Sequence, residues 1–155
     1  KIGLVDASVP PRVMENAANV ERPGSLFLLQ NAEAFADGEL SLEINSRDDD
    51  GVGVVFRYQD PDNYYLWSTH AQRPFQALAI KQGARYEVLA EEGEGYQRGK
   101  WFAVKFVFSG SQITGFVNGE KEFEVQDPTF ASGAVGLYSW GNSGVQFRNV
   151  RFKAK

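Results

Sequence analysis

The sequence predicts an all-β domain made of two antiparallel sheets packed face to face. Three observations predict it. Apolar and polar residues alternate with a period of two in repeated short runs, the pattern of strands that are wet on one side. Aromatic residues make up 14% of the chain and suit a pleated, half-buried surface. Sixteen Gly residues, several beside Asp, Asn or Pro, punctuate the runs at turns. A chain of 155 residues can bury about two-thirds of its unfolded surface, so a core without covalent staples is expected. The absence of cysteine removes disulfides, thiolate zinc sites and thiol nucleophiles.

The elements follow in order. Residues 39–46 place Leu40, Leu42 and Ile44 on one face, and residues 52–58 place Val52, Val54, Phe56 and Tyr58 on one face with Arg57 opposite. In residues 64–70, Tyr64, Leu66, Ser68 and His70 share one face and Tyr65, Trp67 and Thr69 the other. Further strands are expected over 75–81, 86–90, 102–108, 113–117, 134–139 and 145–152, about ten in all. Phe102, Val104, Phe106 and Phe108 alternate and are expected to face the core. Asn118-Gly119 predicts a type I′ hairpin, because that turn needs positive φ at both central residues. Residues 11–20 carry the one helical expectation, with Pro11 at the start and Met14, Glu15, Ala17 and Ala18 behind it. With no repeat, linker or composition shift, residues 1–155 read as a single domain.

A net charge of −4, without any cluster of Lys and Arg, argues against nucleic acid or an anionic membrane surface as partner. No apolar run approaches the roughly 18 residues needed to span a bilayer. The chain starts at Lys1, which suggests a processed product or a module cut from a larger parent chain.

Two stretches carry a family resemblance. Arg47-Asp48-Asp49-Asp50-Gly51-Val52-Gly53-Val54-Val55-Phe56-Arg57-Tyr58-Gln59-Asp60, continuing to Asn63-Tyr64-Tyr65-Leu66-Trp67, resembles the acidic turn and aromatic strand of the thrombospondin C-terminal domain. Gly99-Lys100-Trp101, the Val117-Asn118-Gly119 hairpin and Gly133-Ala134-Val135-Gly136-Leu137-Tyr138 resemble the laminin-G-like pattern. Together they cover roughly residues 39–153. The resemblance implies a concanavalin A-like jelly roll, a group that includes bacterial carbohydrate-binding modules, lectins, adhesion domains and glycoside hydrolases. Many of its members bind calcium in loops at a sheet edge.

Asp48, Asp49 and Asp50 form one cluster of hard oxygen donors, and Asp60, Asp62 and Asn63 another. If the intervening strands form a hairpin, the two are expected close together as one calcium site. Solvated Asp-rich turns that cap backbone donors are the alternative. Sugar recognition needs an aromatic face for the C–H side of the ring and planar polar groups for its hydroxyls. Those ingredients coincide at Arg57, Trp67, His70, Arg73, Trp140 and Asn142, while the resemblance implies that Trp101, in the Gly-x-Trp strand, packs structurally. The alternative is that both Trp67 and Trp140 are core residues beside polar turns.

Catalytic patterns are weaker. His70 is the one histidine, there is no Gly-x-Ser-x-Gly elbow, and no strand carries the Glu-x-Asp-x-Glu spacing of hydrolases on this sandwich. The expectation is a non-catalytic module, extracellular or at the cell surface, that binds a saccharide through loop-rim aromatics and carries a structural calcium ion. A thrombospondin-type protein-binding adhesion domain and a glycoside hydrolase of the same fold are the alternatives.

Overall fold

In the computed structural model, the residues described are 2–3, 12–14, 25–30, 35–142 and 144–155. They form β1 (Ile2–Gly3), β2 (Arg12–Met14), β3 (Ser25–Gln30), β4 (Gly38–Ser46), β5 (Gly51–Asp60), β6 (Asn63–His70), β7 (Phe75–Gln82), β8 (Arg85–Glu92), β9 (Phe102–Ser109), β10 (Gln112–Val117), β11 (Glu120–Gln126), β12 (Ala134–Trp140) and β13 (Val145–Ala154). One sheet runs β1-β3-β12-β5-β6-β7-β8 and the other β11-β10-β9-β4-β13-β2. The fold is an all-β, two-sheet jelly roll, antiparallel throughout except where β1 lies parallel to β3. The expected strands are all present. Those not spelled out in the sequence are β1, β2, β3 and β11. Among the described residues there is no helix, so none is long and apolar enough to cross a membrane. The expected helix at 11–20 is corrected at Arg12–Met14, which pairs with β13 as a strand; the rest of that span lies outside the described residues.

The two sheets bury their surfaces differently. In the six-stranded sheet, β4 and β9 alternate between buried and wetter positions, and Phe102, Val104, Phe106 and Phe108 face the core as expected. The seven-stranded sheet is buried on both faces near its centre. Val52, Val54, Phe56, Tyr65 and Trp67 join the core between the sheets, while Val55, Tyr64, Leu66 and Tyr138 form a second cluster on the outer face. Two-sided burial erases alternation, and β5 and β12 accordingly read as near-continuous buried runs.

Arg57 interrupts β5. Its φ of 46° is left-handed, and the β5–β6 register shifts between Phe56 and Asp60, which marks a bulge. The bulge reverses the parity expected for this strand. Arg57 turns inward, 2% exposed, with its guanidinium 5.6 Å from the centre of the Phe108 ring, and Tyr58 packs with the outer cluster. The Asn118-Gly119 turn has the expected positive φ values, 50° and 84°.

Candidate functional site

Antiparallel pairing brings the start of β5 and the ends of β6 and β12 together. Trp140 pairs with Gly51, and Val52 pairs with Thr69, so Gly51, His70 and Trp140 meet at one corner of the seven-stranded sheet. The turn that follows His70 returns to Phe75, its partner in β7. The result is a cleft of about 590 Å³ lined by Asp50, His70, Gln72, Arg73, Phe75, Trp140 and Gly141. Gly51 leaves room beneath it: a methyl group there would sit 2.8 Å from His70 Cε1 and 3.3 Å from Trp140 Cβ. The imidazole stacks on Phe75 with ring centres 4.5 Å apart and lies tilted, 6.0 Å from the Trp140 ring. Burial, reinforced by the Arg73 charge, pushes the His70 pKa below its usual value and keeps the ring neutral. Burial, together with the neighbouring Asp48 and Asp49 charges, raises the Asp50 carboxyl.

The loop that presents Asp50 is tied from several sides. The Asp49 carbonyl accepts the N–H groups of Ala71 and Gln72, both at 2.9 Å. The Tyr96 hydroxyl lies 2.6 Å from the Asp50 carbonyl and 2.9 Å from that of Asp48, and it donates its one proton between them. Burial pushes the Tyr96 pKa up to about 12, so this proton stays in place at neutral pH. The Asn142 amide donates to Ser46 Oγ at 2.7 Å and to the Asp50 carbonyl at 3.2 Å, and its oxygen accepts the Gly144 N–H at 2.9 Å.

The structure therefore gathers His70, Arg73 and Trp140 of the expected ligand set and adds Asp50, Gln72 and Phe75. Three expected members stand elsewhere. Trp67 is 1% exposed, packs on Phe106 and donates its indole N–H to Gln76 Oε1 at 3.1 Å, because its parity in β6 turns it into the core. Arg57 is held by the carbonyls of Phe130 and Ala36 and lies 3.6 Å from the Asp37 carboxylate. Asn142 is fully buried and braces the loop instead of facing a ligand. Gln72 and Phe75 were legible in principle, since the short turn after His70 must carry them back alongside it.

The metal expectation divides in the same way. Asp48, Asp49 and Asp50 can bring carboxylate oxygens within 4.8 Å of one another. Asp60, Asp62 and Asn63 sit in the turn at the other end of β5, and a strand of this length spans roughly 30 Å. Forming the hairpin is what separates the clusters, so the expected six-residue site is not assembled. Asp60 instead accepts the Asp62 N–H at 2.8 Å and the Asn63 amide at 2.9 Å, and Lys81 lies 3.5 Å from Asp62.

Comparison with known proteins supplies further findings. A family model described as a 3-keto-alpha-glucoside-1,2-lyase-like domain matches residues 6–153. No curated protein matches the chain in sequence. Among solved structures, the carbohydrate-binding module CBM66 from Bacillus subtilis superposes with a TM-score of 0.79 at 18% identity, covering 99% of each chain. The Caenorhabditis elegans galectin LEC-6 gives 0.59 at 16% identity, over 88% of this chain and 94% of its own. The GH43 BlXynB protein from Bacillus licheniformis gives 0.61 at 12% identity, over 77% of this chain and 28% of its own. At these identities the likeness concerns the fold, which is the concanavalin A-like jelly roll.

Proposed function

We propose that this chain, which belongs to the 3-keto-alpha-glucoside-1,2-lyase-like domain family, is a saccharide-binding module whose ligand lies against Trp140. The observation that carries the reading is one cleft holding an indole, an imidazole, a guanidinium and a single carboxylate. Such a set fits a sugar ring: Trp140 offers an apolar face, and Arg73, Gln72 and Asp50 offer planar groups to its hydroxyls. One carboxylate suits binding better than hydrolysis, which on this kind of substrate uses two facing acids. The carbohydrate-binding module and galectin among the structural relatives lend the reading support, as does the sugar chemistry in the family's description. A location outside the cell and attachment to a larger chain go with it. The adhesion alternative has less behind it, because the exposed large hydrophobic residues among those described are Tyr86 and Val88 alone. A glycan array probed with the wild type and with Trp140→Ala tests the proposal. Loss of saccharide binding in a variant that melts near the wild-type temperature supports it, and undiminished binding refutes it.

Calcium belongs to the same reading at Asp48, Asp49 and Asp50 only. Three carboxylates, each offering one oxygen, supply half or fewer of the six to eight oxygens calcium takes, and water would complete the shell. The nearby backbone carbonyls are already committed to Tyr96, Asn142, Ala71 and Gln72. A bound ion would raise the melting temperature, and a tenfold excess over its dissociation constant is worth about 1.4 kcal/mol. Coincident melts in calcium and in chelator remove the ion.

The family description favours a second reading, elimination from a 3-keto-glucoside. A ketone at C3 acidifies the C2 proton. A base takes that proton, the C1–C2 double bond forms, and the C1 oxygen departs with the pair of electrons and a proton from solvent. Neutral His70 is the base assigned to this step, beside the Asp50 carboxylate that shares the cleft. Release of nitrophenol from a 3-keto nitrophenyl α-glucoside, abolished by His70→Gln, decides for the lyase.

A further inference from the structure

A second cavity opens at the same end of the sandwich but between the sheets. It measures about 240 Å³ and is walled by Trp67, Thr69 and Gln76 within, with Gln97, Lys100 and Trp101 toward its mouth. Gln76 is 4% exposed, and its orientation is fixed by chemistry: the Trp67 indole N–H needs an acceptor, so the amide oxygen must face it. The amide nitrogen is left over. It is not one of the sealed-off buried atoms that lack a partner, so it faces the open space of the cavity. Thr69 Oγ1 donates to the Phe75 carbonyl at 3.0 Å, which leaves its lone pairs to accept. No carboxylate lines the cavity, and Lys100 stands at the mouth without an ion-pair partner among the described residues. The wall between this cavity and the Trp140 cleft is tight, since a methyl group on Gly95 would meet the His70 carbonyl oxygen at 1.8 Å.

We infer that this cavity is a second ligand pocket, for a single acidic sugar ring such as a uronate. The inference rests on the saccharide-binding reading and extends it to a separate site. The size fits one ring, since pockets for larger ligands run from roughly 300 to 1,000 Å³. The Gln76 amide donates to a ring oxygen, Thr69 accepts a hydroxyl proton, and Lys100 faces the carboxylate.

The test follows the Gln76 side-chain amide by NMR in the intact 155-residue chain while methyl glucuronide or methyl glucoside is added. The expected result is saturable movement of that resonance, with the glucuronide bound at least fivefold tighter than the glucoside. Lys100→Met should erase the preference. Gln76→Glu keeps the acceptor for Trp67 but loses the donor, and should weaken glucuronide binding at least tenfold. Because a buried change can disturb folding, Val117→Phe, which fills the cavity away from Gln76, should block binding in a chain with an unchanged melting profile. Trp140→Ala should leave the Gln76 response intact, which separates this pocket from the cleft. An unmoved Gln76 amide, equal binding of the two glycosides, or a response lost with Trp140 overturns the inference. An ordered water in place of sugar would give the first of these outcomes. A Trp140 indole that responds while Gln76 does not leaves the cleft standing alone.

Discussion

At the closed end of the β5–β6 hairpin, Asp60 caps its own turn and the acids stand in solvent; at the open end, Asp48, Asp49 and Asp50 are drawn against a buried network of Ser46, Tyr96 and Asn142. The two turns have nearly the same composition. Their surroundings differ: the exposed turn satisfies itself, and its charges are screened by water. In the other, burial raises Asp50, and its carbonyls are spoken for by partners far away in sequence. An acidic turn acquires a functional setting from what packs behind it, and composition alone does not distinguish the two.

The largest expected effect comes from unhooking the buried turn. Asn142→Ala removes the donor to Ser46 and Asp50 and the acceptor of the Gly144 N–H, and should cost about 3 kcal/mol in urea unfolding. A cost under about 1 kcal/mol would show that the turn holds itself, like its counterpart. Tyr96→Phe takes away one proton shared by two carbonyls and should cost about 2 kcal/mol, with saccharide affinity falling as the Asp50 loop loosens.

Titration sharpens the contrast. The Asp50 pKa is raised on folding, so the native state binds its proton more readily than the unfolded chain. Stability from that proton is present at low pH and lost as pH rises through the raised value. Asp50→Asn should therefore raise the melting temperature at pH 7, with the gain shrinking as pH falls through the carboxylate range. Equal melts at pH 7 would mean the charge is not strained. His70 has the opposite sign. Its pKa is lowered on folding, so the unfolded chain binds the proton first, and stability should fall as pH drops below about 6.5. His70→Gln should flatten that limb. The smallest effect belongs to the exposed turn: Asp60→Ala should change stability by no more than about 0.5 kcal/mol and leave any calcium response untouched.

The six-stranded sheet was legible because it is wet on one side. The alternation of Phe102, Val104, Phe106 and Phe108 maps directly onto burial. The seven-stranded sheet was less so. With apolar residues on both faces, parity in residues 64–70 left Trp67 free to point either way, and nothing local marks the left-handed Arg57 that flips the end of β5. Within the site, His70, Arg73 and Trp140 could be named because they adjoin turns. Asn142 lies in a Gly-rich loop and reads as a solvated residue, yet long-range packing buries it completely. The separation of the acidic turns was computable from strand length, since a hairpin joins strands at one end and holds the other ends apart.

Gly51 gives the cleft an unusual liability. Most sites are disabled by taking a group away, whereas this one can be disabled by adding one. A single methyl carbon at Gly51 would press on the far end of the His70 side chain, which can swing aside, so the fold has an inexpensive way to yield. The imidazole would be displaced and the space under Trp140 filled, with no charge altered. In a lineage of such domains, one codon change at this position could silence the cleft while the scaffold persisted, and reversing it could restore ligand recognition. For an engineer, position 51 is a volume control on which larger side chains step the cleft shut.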